Sequence, residues 1–384
     1  MDRRDFVKMG GLLAATAAPL SVFPGTNNPA IFDQSKGPVK FFGDGLSLTA
    51  KEYSSLLMKL ADEGKIKPDY YSNGGVVEEL EHKFAKLLGK ESAVFMPTGT
   101  LANHIAVRQL AGKSNRVIVQ EQSHLYNDTG DCAQNLSGLN LIPLGKNSTE
   151  FTLQDVVNIV EKTKKGRVAA KVGVISIESP VRRQHDRIIS YENMKKISDY
   201  ASNQDIKMHL DGARLFVQSA HTDVSPTQYG ELYDTVYTSL WKCFNAASGA
   251  VLAGSNDFTK GLYHIRRMFG GGLPYAWPFA AVALYFADNF IDEYKIAYIK
   301  TEKFLSKIAI DDRFKVQRFQ NGTHIFKLIV NHNDLNKFKQ ALAKRNILVG
   351  TPDQTGFSLK INPSVNRTTP DYLSKCFLES LDKV

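Results

Sequence analysis

The feature that most constrains this chain is a series of short β-rich runs separated by helical stretches: Ala93 to Met96, Arg116 to Gln120, Leu139 to Leu144, Val172 to Ile177, Ile206 to Leu210, Thr235 to Leu240 and Ala250 to Ala253. Strands that alternate with helices are joined by crossovers, so neighbours run parallel and helices cover both faces. The pattern predicts an α/β fold built on a mostly parallel sheet. Upstream, helical patterns at Ala50 to Glu63 and Val77 to Leu88 flank a polar stretch, Lys67 to Gly75. Downstream, apolar content rises along Tyr275 to Ile308, predicting one or two long helices. Strands near Phe314 to Arg318, His324 to Ile329, Ile347 to Val349 and Ser358 to Ile361, with helices near Leu335 to Ala343 and Pro370 to Leu381, then predict a smaller α/β domain.

A chain of 384 residues, 43% hydrophobic and 23% charged, has a globular composition, which excludes wholesale disorder, a collagen-like repeat and a coiled-coil rod. The net charge of +9 permits attraction to nucleic acid, but the basic residues form no sustained stripe interleaved with aromatics, so nucleic-acid binding is not expected. Cys132, Cys243 and Cys376 are too scattered for a disulfide framework, and none stands at metal-ligand spacing with another; no metal is expected. At the N-terminus, Arg3, Arg4, Phe6 and Lys8 stand in the order of a twin-arginine export signal, ahead of a mild apolar run from Gly10 to Ala18. This predicts a removable signal peptide over residues 1–25 and a periplasmic or exported protein; the alternative is a basic amphipathic N-terminus on a cytoplasmic one. The apolar run falls short of the roughly 20 residues of a membrane span, so no stable membrane association is expected after export. Residues 26–48 read as a linker and N-terminal arm, 49–300 as the large domain and 301–384 as the small C-terminal domain.

In open α/β sheets ligands bind where strands end and helices begin, and three such places stand out. At Pro97-Thr98-Gly99-Thr100 a strand stops and a helix starts; its backbone N–H groups can cradle a phosphate, although the same residues also suit ordinary N-capping. At His209-Leu210-Asp211-Gly212-Ala213-Arg214 an apolar strand ends in an aspartate followed by an arginine; the pair serves a site, or Asp211 caps a helix and Arg214 pairs with it. His209 shares a strand face with Asp211, where it can buttress that carboxylate. At Ser239-Leu240-Trp241-Lys242 a lysine sits among apolar residues, which disfavour its charge and free the amine for Schiff-base chemistry; the other outcome is a lysine that snorkels to solvent. A phosphate turn, then an acid, then a lysine is the order that a pyridoxal phosphate site requires.

Glu79-Leu80-Glu81, Pro97 to Thr100, Ser123-His124-Leu125-Tyr126, His209 to Leu215, Lys242, Gly249 to Gly254 and Arg267 to Gly272 together resemble the motifs of the threonine aldolase and β-eliminating lyase family, in matching order. The resemblance is close from about Asp69 to Phe290. It implies the aspartate-aminotransferase-type fold (fold type I), pyridoxal 5'-phosphate as cofactor, an amino-acid substrate and a homodimer or homotetramer. It further implies that Lys242 holds the cofactor as a Schiff base, Asp211 pairs with its ring nitrogen, Gly99 and Thr100 bind its phosphate, and His124 stacks on its ring. Arg214 would grip the substrate carboxylate, with Lys360 as a second cation from the small domain. The expected reaction is retro-aldol cleavage of a β-hydroxy-α-amino acid, L-threonine or a relative, to glycine and an aldehyde, with His124, or a water it orients, as the candidate base.

Several positions depart from the family pattern. Gly43-Asp44-Gly45-Leu46-Ser47 keeps only the aspartate of the usual N-terminal segment, Ser72-Asn73-Gly74 replaces Gly-Glu-Asp, and Glu178-Ser179-Pro180-Val181 replaces Glu-Asn-Thr-His. Trp241 replaces a hydroxyl residue, Lys360 an arginine and Pro274 another arginine. His185, in the charged run Arg182 to Arg187, is expected to be solvated. The cofactor machinery is thus better kept than the substrate shell, which leaves β-elimination or transamination as an alternative reaction and a non-catalytic binding protein as an alternative class.

Overall fold

The computed structural model describes residues 32–168 and 170–384. The signal peptide expected over residues 1–25 lies outside the described residues.

Seven strands form the main sheet: β2 (Ser92–Met96), β3 (Arg116–Gln120), β4 (Asn140–Leu144), β5 (Val172–Glu178), β6 (Lys207–Asp211), β7 (Thr235–Ser239) and β8 (Ala250–Gly254). Their spatial order is β2-β8-β7-β6-β5-β3-β4. The ladder from β7 through β4 is parallel, and β8 is antiparallel to both β7 and β2. All seven residues of β5 are buried, as expected of a central strand covered on both faces. The helix Gly99–Ala111 packs on β5, β6, β7 and β8, while the helices Gly75–Leu87 and Trp277–Ala287 pack against each other. There, Phe84, Phe216 and Phe244 meet edge to face at centroid distances of 4.8 to 6.1 Å, a geometry that aligns ring edges with π faces.

The long helix Phe290–Ile308 leads to an antiparallel sheet of β9 (Phe314–Arg318), β10 (Ile325–Val330) and β12 (Gly356–Lys360). The arm is tied to this region: β1 (Val39–Lys40) pairs in parallel with β11 (Ile347–Leu348), and Phe41 packs on Phe304 and Phe377. The Lys360 N–H donates to the Phe41 carbonyl over 2.9 Å, and the Asn362 amide donates to the Lys40 carbonyl over 2.8 Å. These bonds deliver Gly43 and Asp44 to the C-terminal ends of the main-sheet strands. Sequence periodicity identified the strands and the long helices; the arm pairing joins residues about 300 positions apart and leaves no local pattern.

Candidate active site

The site is built from the outgoing ends of parallel strands. Asp211 is the last residue of β6 and Glu178 the last of β5, and the two stand opposite each other in the ladder. Asp211 is buried and accepts a 2.5 Å hydrogen bond from the Asn103 amide and one of 3.2 Å from the Ala213 N–H. The Asn103 carbonyl oxygen lies 2.9 Å from His209 Nε2, and His209 Nδ1 lies 2.9 Å from the Thr235 hydroxyl. Burial pushes His209 down to about 4, so it is a neutral imidazole that donates to Asn103 through Nε2 and accepts at Nδ1. His209 therefore buttresses Asp211 through Asn103, an intermediary that sequence reasoning missed because an asparagine inside a helix carries no chemical signature of its own.

Lys242 lies in the turn after β7, half-buried, with its ammonium 5.7 Å from the centroid of the exposed Trp241 ring. Burial and the Arg214 guanidinium push its pKa down, while Asp211, Asp44 and Glu178 oppose that shift. The lysine therefore shares one electrostatic environment with the acids at the strand ends. Glu178, completely enclosed, is raised to about 8 by burial and by the Asp211 charge. Its carboxyl group accepts the backbone N–H of His124 and, at 2.9 Å, that of Arg182. Glu178 thus anchors the short helix His124–Asn127 beside Asp211. His124 Nδ1 is buried and has no hydrogen-bond partner within the protein.

The helix Gly99–Ala111 begins with Thr98, whose hydroxyl accepts the Leu101 N–H at 3.2 Å. Helix geometry leaves the N–H groups of Gly99 and Thr100 without intrahelical acceptors. A Cβ on Gly99 would lie 2.0 Å from the Tyr237 hydroxyl, so only glycine lets the backbone approach there. Tyr237 in turn stands opposite Asp211 in the ladder. A cavity of about 540 Å³, lined by Asp44, Tyr53, Trp241, Lys242 and Asn245 among others, opens on the lysine. That volume suits a small ligand.

Arg214 and Lys360, expected at the substrate carboxylate, lie in a second cluster. Arg214 is buried, with Nε 3.0 Å from Asp44 Oδ2 and Nη1 3.4 Å from Asp186 Oδ1. Lys360 Nζ lies 3.1 Å from Asp44 Oδ1 and 3.2 Å from Asp186 Oδ2. Burial works against the charge of Arg214, yet the two carboxylates hold its pKa above the usual value. Burial alone would raise Asp44, but Arg214, His324 and Lys360 hold it well below the usual carboxylate range. Asp186 and His324 were not singled out from the sequence. His185, beside Asp186, is exposed and stacks on Phe319 at a centroid distance of 4.2 Å.

A suppressed lysine, an acid held at a strand end and a glycine-opened helix start, all at one edge of a mostly parallel sheet, define a pyridoxal phosphate-dependent enzyme of fold type I. The residues present fit that cofactor: Lys242 to hold it covalently, Asp211 to meet its ring nitrogen, the Gly99 and Thr100 N–H groups to meet its phosphate, and His124, with its orphaned buried nitrogen, to flank its ring.

Residues 63–328 match the model of the family described as Beta-eliminating lyase, and the chain belongs to that family. It is similar to a low-specificity L-threonine aldolase of Candida albicans, 27% identical over 318 residues that cover 81% of this chain and 82% of the relative. A solved Listeria monocytogenes structure described as an L-allo-threonine aldolase superposes with a TM-score of 0.74 at 26% identity, covering 91% of this chain and 97% of that one. An Exiguobacterium structure superposes with a TM-score of 0.75 over 91% of this chain and 98% of that one; its 22% identity supports the fold alone.

Proposed function

We propose that this protein is a lyase that cleaves the Cα–Cβ bond of a β-hydroxy-α-amino acid, L-threonine or a relative, to glycine and an aldehyde. The observation that carries this reading is the shared environment of Lys242 and Asp211, with His124 anchored beside them by Glu178. Bound pyridoxal phosphate supplies an electron sink for the pair released as the carbon–carbon bond breaks. Asp211, stabilised by Asn103 and the Ala213 N–H, keeps a proton on the ring nitrogen. Lys242, its charge disfavoured by burial and by Arg214, gives up its proton more readily than a solvated lysine. His124 is the base that takes the β-hydroxyl proton. The similarity to curated threonine aldolases supports the substrate class.

The test is incubation of purified protein with threonine, phenylserine, serine and cysteine, followed by identification of the products. Glycine with an aldehyde supports the proposal; pyruvate and ammonia alone would move the assignment to β-elimination. Lys242→Ala should abolish the absorption band of covalently held cofactor, and an unchanged spectrum would remove Lys242 from the site.

We further infer a homodimer or homotetramer, supported by an exposed patch of Tyr70, Met268 and Tyr275 around Tyr71, on whose ring Arg267 lies at 4.5 Å. Export by the twin-arginine route is inferred from residues 1–25. Fractionation of cells carrying Arg3→Lys and Arg4→Lys should then find the protein trapped in the cytoplasm, and an unchanged location would refute the signal. Among the described residues no helix is long and apolar enough to cross a membrane.

A further inference from the structure

Resting on the reading of the site as one for an α-amino acid, we propose that His324 is a positioning residue, held as an imidazolium, whose charge allows the Asp44, Asp186, Arg214 and Lys360 network to accept the substrate carboxylate. The four groups alone are balanced, two carboxylates against two cations, all packed within 3.4 Å contacts. A third carboxylate entering a balanced, buried network would meet two fixed negative charges and no cation left over, which is unfavourable in a medium of low polarity. The cations named by the family resemblance are therefore not sufficient in this chain, because each is already shared between Asp44 and Asp186.

The hydrogen-bond geometry of His324 supplies the missing charge. The side chain is completely buried, with Nε2 2.8 Å from Asp44 Oδ1 and 3.6 Å from Asp186 Oδ2. A carboxylate only accepts, so Nε2 carries a proton. On the other side, the Thr323 hydroxyl donates to the Asp186 carbonyl at 2.8 Å and lies 3.1 Å from His324 Nδ1. With its single proton on the shorter contact, that hydroxyl presents a lone pair to Nδ1, which therefore also carries a proton. Two N–H groups make an imidazolium, and the network becomes three cations against two carboxylates. Arg214 Nε, 3.0 Å from Asp44 Oδ2, and Asp186 Oδ1 are buried without an aligned hydrogen bond.

The groups that face the imidazole are Asp44 from the arm, Asp186 from the loop after β5, Lys360 from β12, Thr323 beside it in the chain and Arg214 behind Asp44. His221, on the helix Leu215–Thr222, feels the same charge and that of Arg318 from β9, and burial together with these two cations pushes it down to about 4, which leaves it neutral.

The test uses the holoenzyme and two ligands that share an amine, glycine with a carboxylate and ethanolamine without one, each titrated through the change in cofactor absorption. In His324→Gln, whose side-chain amide can stand where the imidazole Nε2 meets Asp44 but carries no charge, the ratio of glycine to ethanolamine affinity should be lower than in the wild type by about tenfold or more. Nitrogen NMR of histidine-labelled wild-type protein should show His324 with both ring nitrogens protonated at neutral pH, which decides the matter if the variant fails to fold. A ratio insensitive to the substitution, or a single protonated ring nitrogen on His324, overturns the proposal. If neither glycine nor ethanolamine perturbs the cofactor, the amino-acid reading itself fails and the proposal falls with it.

Discussion

Asn103 gives the sharpest structural prediction because it is buried and holds two groups at once. Its amide donates to Asp211 at 2.5 Å and its carbonyl accepts from His209 at 2.9 Å. Replacement by alanine leaves a buried carboxylate oxygen and a buried imidazole N–H unpaired. A hydrogen bond to a charged group contributes about 1.5–3 kcal/mol and a neutral one about 1 kcal/mol. Asn103→Ala should therefore destabilise the protein by about 2.5–4 kcal/mol, measured by equilibrium urea unfolding of cofactor-free wild type and variant at the same pH. Asn103→Asp should be worse, because it sets a second carboxylate against Asp211 at hydrogen-bond distance. The same loss should weaken pyridoxal phosphate binding, since Asp211 is no longer held toward the ring nitrogen. A loss below about 0.5 kcal/mol for Asn103→Ala, with cofactor affinity unchanged, would refute the idea that His209 supports Asp211 through this residue.

Other expectations come from the same geometry. Glu81 accepts the Phe95 N–H at 2.7 Å, and burial raises its pKa to about 7 despite that bond and the nearby Arg266. Because the folded value lies above the unfolded one, its contribution to stability is complete below about pH 4.5 and is lost as pH rises to about 7; discounted for partial exposure, the loss is about 2–3 kcal/mol. Glu81→Gln should remove that part of the pH slope in urea unfolding between about pH 5 and about pH 8, and parallel slopes would refute it. Gly99→Ala sets a Cβ 2.0 Å from the Tyr237 hydroxyl and 2.5 Å from its Cζ, forcing the helix start or the ring to shift. Cofactor affinity should drop by about tenfold or more, with partial recovery when Tyr237→Phe is added; full affinity in Gly99→Ala alone would show that this approach is unnecessary.

The β-rich runs between helices, with a phosphate turn, an aspartate and a lysine in order, were legible in the sequence because each depends on local pattern: strand ends place functional groups at one sheet edge whatever lies elsewhere. Lys242, Asp211, Gly99 and Thr100 could be singled out on that basis, His124 only through the family resemblance, and the family match over residues 63–328 agrees with the fold they imply. Glu178 stood in plain view as the last residue of a strand, but its role depends on facing Asp211 across the ladder, which no linear spacing reveals. Asp44, Asp186, His324 and Lys360 come from the arm, a loop, the approach to β10 and the end of β12, as much as 316 residues apart. Their pairing follows from mutual distance and shared burial, and these arise only when the arm pairs with β11 and brings Asp44 against the strand ends. The order of phosphate turn, acid and lysine was thus legible in the sequence alone, whereas the pairing of Asp44, Asp186, Arg214, His324 and Lys360 was decided by tertiary structure, because electrostatic coupling depends on separation in space and not along the chain.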